Sequence, residues 1–171
     1  MSKAFPSPAK AVLFDLDGTL LDTAADFADV VQQMTVQAAR PSIEFTAIHK
    51  TVSNGARALV ELAFEIQPGH PDFEERFETL LSLYAQRILT TKATLYPGMD
   101  TLLLQLEKAG IPWGIVTNKP ERFSRPLLES LGLSSRCSTL ICPDHVSQSK
   151  PHPEPLLLAC KQLNINPQDA I

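Results

Sequence analysis

Two aspartates stand two residues apart in Phe14-Asp15-Leu16-Asp17-Gly18-Thr19. Two carboxylates on one turn cannot both be buried and ionised cheaply. A hard cation between them resolves the repulsion, and Mg2+ favours such oxygen ligands. The same cation lets an anionic phosphate approach a carboxylate. Without it, like charges about 4 Å apart repel by about 4 kcal/mol at an effective dielectric near 20. One aspartate can then attack phosphorus and form an aspartyl-phosphate. The other can protonate the leaving oxygen and later activate water. Further along, Thr117 and Asn118 can hydrogen-bond phosphoryl oxygens, and Lys150 brings a compact positive charge to the same oxygens. Taken singly, each is commonplace. A D-x-D is also a solvated turn, Thr117-Asn118 an ordinary strand end and Lys150 a surface lysine. Their order, each at a strand end, shifts the balance.

The elements that must position these groups follow from the apolar pattern. Ala11-Val12-Leu13-Phe14 reads as a buried strand of a parallel sheet. Gly18 suits the tight loop after it. From residue 22 to residue 94 the signals are all helical. Thr23-x-x-Asp26 resembles a capping box opening a helix toward Ala39, with Pro41 beyond its end. A second helix follows Ser53-Asn54-Gly55, over 56–64. A third starts near Asp72, with Phe73, Phe77, Leu80, Leu81, Tyr84 and Ile88 on one packing stripe.

After Pro97-Gly98 the pattern changes. Leu102, Leu103 and Leu106 mark a helix ending at Gly110. Trp113-Gly114-Ile115-Val116 reads as a strand, 123–131 as a helix closed by Gly132, and Thr139-Leu140-Ile141-Cys142 as the next strand. A loop with Pro143, Pro151, Pro153 and Pro155 leads to a helix over 154–163, and Ala170-Ile171 looks like the first step of another strand. Strands alternating with helices imply an α/β fold with a parallel sheet. Its functional groups collect at the carboxyl ends of the strands. The helical block is too long for a crossover, so it reads as a smaller inserted domain, 22–94, within a core formed by 1–21 and 95–171.

Composition narrows the class. The 171 residues are 44% hydrophobic and 20% charged, which excludes global disorder. A net charge of −4 argues against nucleic acid as a partner. No apolar run approaches the roughly 18 residues of a membrane span. Residues 1–10, with Pro6 and Pro8, lack the apolar stretch of a signal peptide. Cys137, Cys142 and Cys160 have no paired spacing and read as free thiols, which points to a reducing cytoplasm. His49, His70, His145 and His152 are scattered, against a zinc site.

The residues also carry a resemblance. Residues 14–23 (FDLDGTLLDT) resemble the first signature motif of the haloacid dehalogenase-like hydrolases. Val116-Thr117-Asn118 resembles their second and Ser149-Lys150-Pro151 their third. The resemblance covers nearly the whole chain. It implies a Rossmann-like core with a helical cap inserted after the first motif. It also implies Asp15 as nucleophile, Asp17 as general acid/base, phosphate contacts from Thr117, Asn118 and Lys150, and Mg2+ held by Asp15 and the Asp17 main-chain carbonyl. Asp17 favours a phosphatase over a dehalogenase, which lacks the second acid.

Within the family, Ser53-Asn54-Gly55-Ala56-Arg57 resembles the cap loop of phosphoglycolate phosphatases. Residues 113–123 and 140–161 resemble the branch acting on N-acetylmuramic acid 6-phosphate in peptidoglycan recycling. The implied activity is Mg2+-dependent hydrolysis of a small phosphorylated metabolite, N-acetylmuramic acid 6-phosphate or 2-phosphoglycolate, by a monomer or homodimer. The cap would close over the site and exclude water. Gly55 would let backbone approach the ligand beside Asn54, and Arg57 would meet a substrate carboxylate, although Arg57 also reads as an exposed helix residue.

One departure stands out. The family's fourth motif, an acidic loop after the next strand, supplies the remaining Mg2+ carboxylate. The sequence stops at Ala170-Ile171, where that strand begins, and Asp169 precedes it. The core therefore reads as incomplete, and a chain with little catalysis stays open. A sugar phosphomutase, which shares both aspartates and a cap, also stays open.

Overall fold

A computed structural model describes residues 9–171. Pro6 and Pro8, with the rest of 1–8, lie outside the described residues. The elements are β1 (Val12–Phe14), β2 (Leu21–Asp22), α1 (Ala24–Gln37), α2 (Phe45–Val52), α3 (Ala56–Phe64), α4 (Phe73–Ile88), β3 (Thr94–Leu95), α5 (Met99–Lys108), β4 (Trp113–Val116), α6 (Glu121–Ser130), β5 (Thr139–Ile141) and α7 (Glu154–Gln162). They form two compact units. One runs to Leu20 and resumes over Leu95–Ile171; the other is Leu21–Thr94.

The first unit is built on a parallel sheet of order β1-β4-β5. Val12 pairs with Trp113 and Phe14 with Ile115, while Gly114 pairs with Thr139 and Val116 with Ile141. All four residues of β4 are buried, as a central strand of a covered sheet must be. Gly114 is required by close approach: a Cβ there would stand 2.4 Å from Thr139 Cγ2 and 3.0 Å from its carbonyl oxygen. On the far side of β1, Ala11 bridges Ala170 in parallel. Leu13 N–H donates to the Ile171 carbonyl at 2.7 Å, and Ile171 N–H to that of Ala11 at 3.1 Å. The last residues therefore pair with the edge of β1 through an isolated parallel bridge.

Val116, Ile141 and Ala159 form a buried cluster, joined by Leu13, Val146 and Leu158. The Trp113 indole donates to Glu107 Oε1 at 3.0 Å, and Arg136 Nε reaches the same oxygen at 2.9 Å. Gly110 and Gly132 end α5 and α6 with φ of +67° each, a backbone other residues resist.

The second unit packs α1 to α4, with β2 and β3 paired at its two chain ends. Phe73, Leu80, Tyr84 and Ile88 of the expected stripe are buried, and Phe77 and Leu81 are half-buried. Phe27 stacks on Tyr84 at 4.1 Å between ring centroids. Two expectations need correction here. The three helices expected in this block leave out α2, a helix of 8 residues with only Ile48 and Val52 buried. The Thr23 capping box does not form: Thr23 makes no side-chain cap bond. Asp22 Oδ1 accepts Ala24 N–H instead, at 3.1 Å. Asp26 turns inward, fully buried. It accepts from Lys92 N–H at 2.8 Å and from the Thr91 hydroxyl, and Arg87 lies 3.3 Å away.

Cys142 and Cys160 are buried free thiols and Cys137 a half-buried one. Among the described residues, no helix is long and apolar enough to cross a membrane.

Candidate active site

The loop after β1 carries the first two groups. Leu16 is wholly buried, which anchors the loop and leaves Asp15 and Asp17 on either side of it. Leu20 N–H donates to the Leu16 carbonyl at 3.1 Å, and Gly18 turns the chain at φ +80°. Leu16 N–H donates to Asp15 Oδ1 at 2.8 Å and fixes that carboxylate.

The end of β4 supplies the next groups. Thr117 N–H donates to the Ile141 carbonyl at 3.0 Å and extends the ladder one residue beyond the strand. Thr117 is buried, whereas Asn118 is exposed. The Asn118 amide donates to the Lys150 carbonyl at 3.1 Å, tying the loop after β4 to the loop after β5. The second of these loops is pinned by Glu154, which accepts from Ser147 N–H at 3.0 Å and Gln148 N–H at 2.9 Å. These donors, with the Ser147 hydroxyl, hold the Glu154 carboxyl below the usual range.

The structure thus brings Asp15, Asp17, Thr117, Asn118 and Lys150 to adjoining strand ends. Lys150 Nζ lies 2.7 Å from Asp15 Oδ1. A residue absent from the sequence reading completes the set. Lys119 Nζ lies 2.9 Å from Asp17 Oδ1 and 3.2 Å from Oδ2. Each aspartate therefore has its own lysine. The signal for Lys119 is its place directly after Thr117-Asn118, where a strand-end loop turns into α6. Nothing local says that the lysine points inward.

A cation at this loop would draw on the Asp15 carboxylate and the Asp17 main-chain carbonyl, the donors that the family resemblance implies. Among the described residues, no group of three or more acidic, histidine or cysteine side chains surrounds a metal position. This donor set fits Mg2+, which keeps several waters and takes one or two carboxylates plus substrate phosphate.

The remaining expected residues belong to the helical unit. Gly55 caps α3 with φ +88°, which disfavours any other residue. Arg57 is bound within its own unit: Nη1 donates to Glu74 Oε1 at 2.8 Å, and the guanidinium lies 4.3 Å from the Phe77 ring centroid. Asn54 sits in the turn between α2 and α3.

A parallel sheet whose strand ends gather carboxylates, hydrogen-bond donors and lysines suits the binding and cleavage of an anionic ester. The match to known proteins agrees. A family model described as haloacid dehalogenase-like hydrolase covers residues 9–171, and the chain belongs to that family. An N-acetylmuramic acid 6-phosphate phosphatase of Pseudomonas putida is 47% identical over 162 residues, 95% of this chain and 72% of that one. A phosphoglycolate phosphatase of Xanthomonas campestris pv. campestris is 40% identical, over 91% of this chain and 70% of its own. The crystal structure of a predicted phosphoglycolate phosphatase from Haemophilus somnus 129PT matches 96% of this chain and 76% of its own, with a TM-score of 0.80 and 24% identity, and shows the same fold. The chain is a phosphoric monoester hydrolase of the haloacid dehalogenase type.

Proposed function

We propose that the chain hydrolyses a small phosphomonoester through an aspartyl-phosphate on Asp15, with Asp17 as general acid and then general base. The observation that carries this reading is the pair of aspartates after β1, each matched to a lysine from a neighbouring strand-end loop. Asp15 is the more open of the two, with its side chain 44% exposed against 19% for Asp17. It is the better placed to reach phosphorus. Asp17 protonates the leaving oxygen and then takes a proton from the attacking water. Lys150, the Thr117 hydroxyl and the Asn118 amide hold phosphoryl oxygens. Asp15 and the Asp17 carbonyl would hold Mg2+, which supplies charge neutralisation between carboxylate and phosphate.

The substrate reading favours N-acetylmuramic acid 6-phosphate over 2-phosphoglycolate, because the relative named for the former is the more similar. The helical unit is the natural cap, with Asn54, Gly55 and Arg57 as its substrate-facing candidates. The three free thiols suit a reducing cytoplasm.

Phosphate release from both esters, in Mg2+, by the wild-type and Asp15→Asn chains tests this reading. Release by the wild type that disappears in the variant is expected. No release from either ester, or persistent release by the variant, overturns it.

A further inference from the structure

Of the four charged groups paired at the site, Asp15, Asp17, Lys119 and Lys150, the proposed mechanism leaves out Lys119 alone. This lysine is the most buried of them, its side chain only 7% exposed. Its backbone is clamped from both sides. Lys119 N–H donates to Thr117 Oγ1 at 3.0 Å, and the wholly buried Ser124 hydroxyl donates to the Lys119 carbonyl at 3.1 Å. From this fixed base the side chain crosses from the β4 loop to the β1 loop and meets both oxygens of Asp17. Lys150 meets one oxygen of Asp15.

We propose that Lys119 is a positioning residue for Asp17: it holds the carboxyl that serves the leaving oxygen. A carboxylate has two side-chain torsions, and one ammonium bridging both oxygens removes that freedom. The ammonium is a compact point charge with three donors, so one such group can meet both carboxylate oxygens at once. Misplacing a proton donor by about 1 Å can cost on the order of 100-fold in rate. This inference rests on the assignment of Asp15 and Asp17 above.

A positioning role has a signature that a purely structural one lacks. Proton donation matters most when the leaving oxygen is strongly basic, as in a sugar or hydroxy-acid phosphate. It matters little for a dinitrophenolate, which leaves unassisted. The test is steady-state hydrolysis of N-acetylmuramic acid 6-phosphate and 2,4-dinitrophenyl phosphate by wild type, K119M, K119R, D17N and D17N/K119M, with thermal unfolding of each. On the sugar phosphate, K119M should lower kcat/KM, which reports phosphoryl transfer to Asp15 and not the later water attack, about 10- to 100-fold. On the dinitrophenyl ester kcat/KM should fall at most about threefold. K119R should recover part of the sugar-phosphate kcat/KM. Adding K119M to D17N should cost nothing further.

Equal losses of kcat/KM on both esters, a further fall in the double variant, or a wild-type kcat/KM for the sugar phosphate in K119M each overturn the proposal. If K119M does not fold, K119R carries the same ester comparison, and loss confined to the sugar phosphate supports it while equal rates or equal losses overturn it. The two readings fail separately. An active Asp15→Asn chain removes the underlying mechanism, whereas an inactive one beside a fully active K119M removes only the role of Lys119.

Discussion

The Asn118 side-chain amide donates to the Lys150 main-chain carbonyl across 3.1 Å, so two separate strand-end loops are fastened by one hydrogen bond. The bond sits on the exposed side of the site, beside the Lys150 ammonium that reaches Asp15. Replacing Asn118 by Ala should raise KM roughly 3- to 10-fold, the worth of about one hydrogen bond, because the phosphoryl group loses the Asn118 amide and Lys150 its tether. Initial rates against substrate concentration check this, and an unchanged KM would contradict it.

Gly114 should tolerate no larger residue. A Cβ at 2.4 Å from Thr139 Cγ2 forces β4 and β5 apart. Gly114→Ala should destabilise the chain by about 1–3 kcal/mol, the usual cost of overpacking. Adding Thr139→Ser removes the offending methyl and should recover part of the loss in urea unfolding. No recovery would place the strain at the Thr139 carbonyl, 3.0 Å away.

Asp26 should be the costliest polar residue of the helical unit to remove. It is fully buried, with Lys92 N–H, Thr91 and Arg87 around it. Asp26→Ala leaves these partners facing an apolar gap, at about 3–5 kcal/mol. Asp26→Asn keeps an acceptor and should cost less. Urea midpoints with a constant m-value check the order of the two variants.

Acid should destabilise the core unit partly through Glu107. Its carboxyl is held below the ordinary 4.5, first by the Trp113 indole and then by Arg136. A depressed folded pKa stabilises above the unfolded value and loses that stabilisation as pH falls through the folded one. The loss therefore begins below about pH 4.3 and deepens toward lower pH. Glu107→Gln should flatten this acid limb of a Tm-against-pH curve and leave its shape near neutrality unchanged.

The three core strands were legible because each is an apolar run closed by a polar strand-end group: Val12–Phe14 by Asp15, Trp113–Val116 by Thr117 and Thr139–Ile141 by the loop to Lys150. That their ends lie side by side follows from strands alternating with helices in a parallel sheet. What stayed hidden depends on partners far away in sequence. Asp26 three residues after Thr23 looks like a cap, and only Thr91 and Lys92, more than sixty residues on, turn it inward. Lys119 beside Asn118 looks like a surface lysine until Asp17, 102 residues earlier, receives it. α2 buries too little for its periodicity to rise above the surrounding polar residues. Motif residues announce themselves locally, whereas buried counter-charges are defined by the fold.

Trp113 is the sole tryptophan of the chain, and it is buried in the sheet unit with its indole bonded to Glu107. Selective indole excitation therefore watches that unit alone, while Tyr84, stacked on Phe27, belongs to the helical one. The molecule thus carries a built-in fluorescent label for one of its two halves, placed one strand length from Thr117.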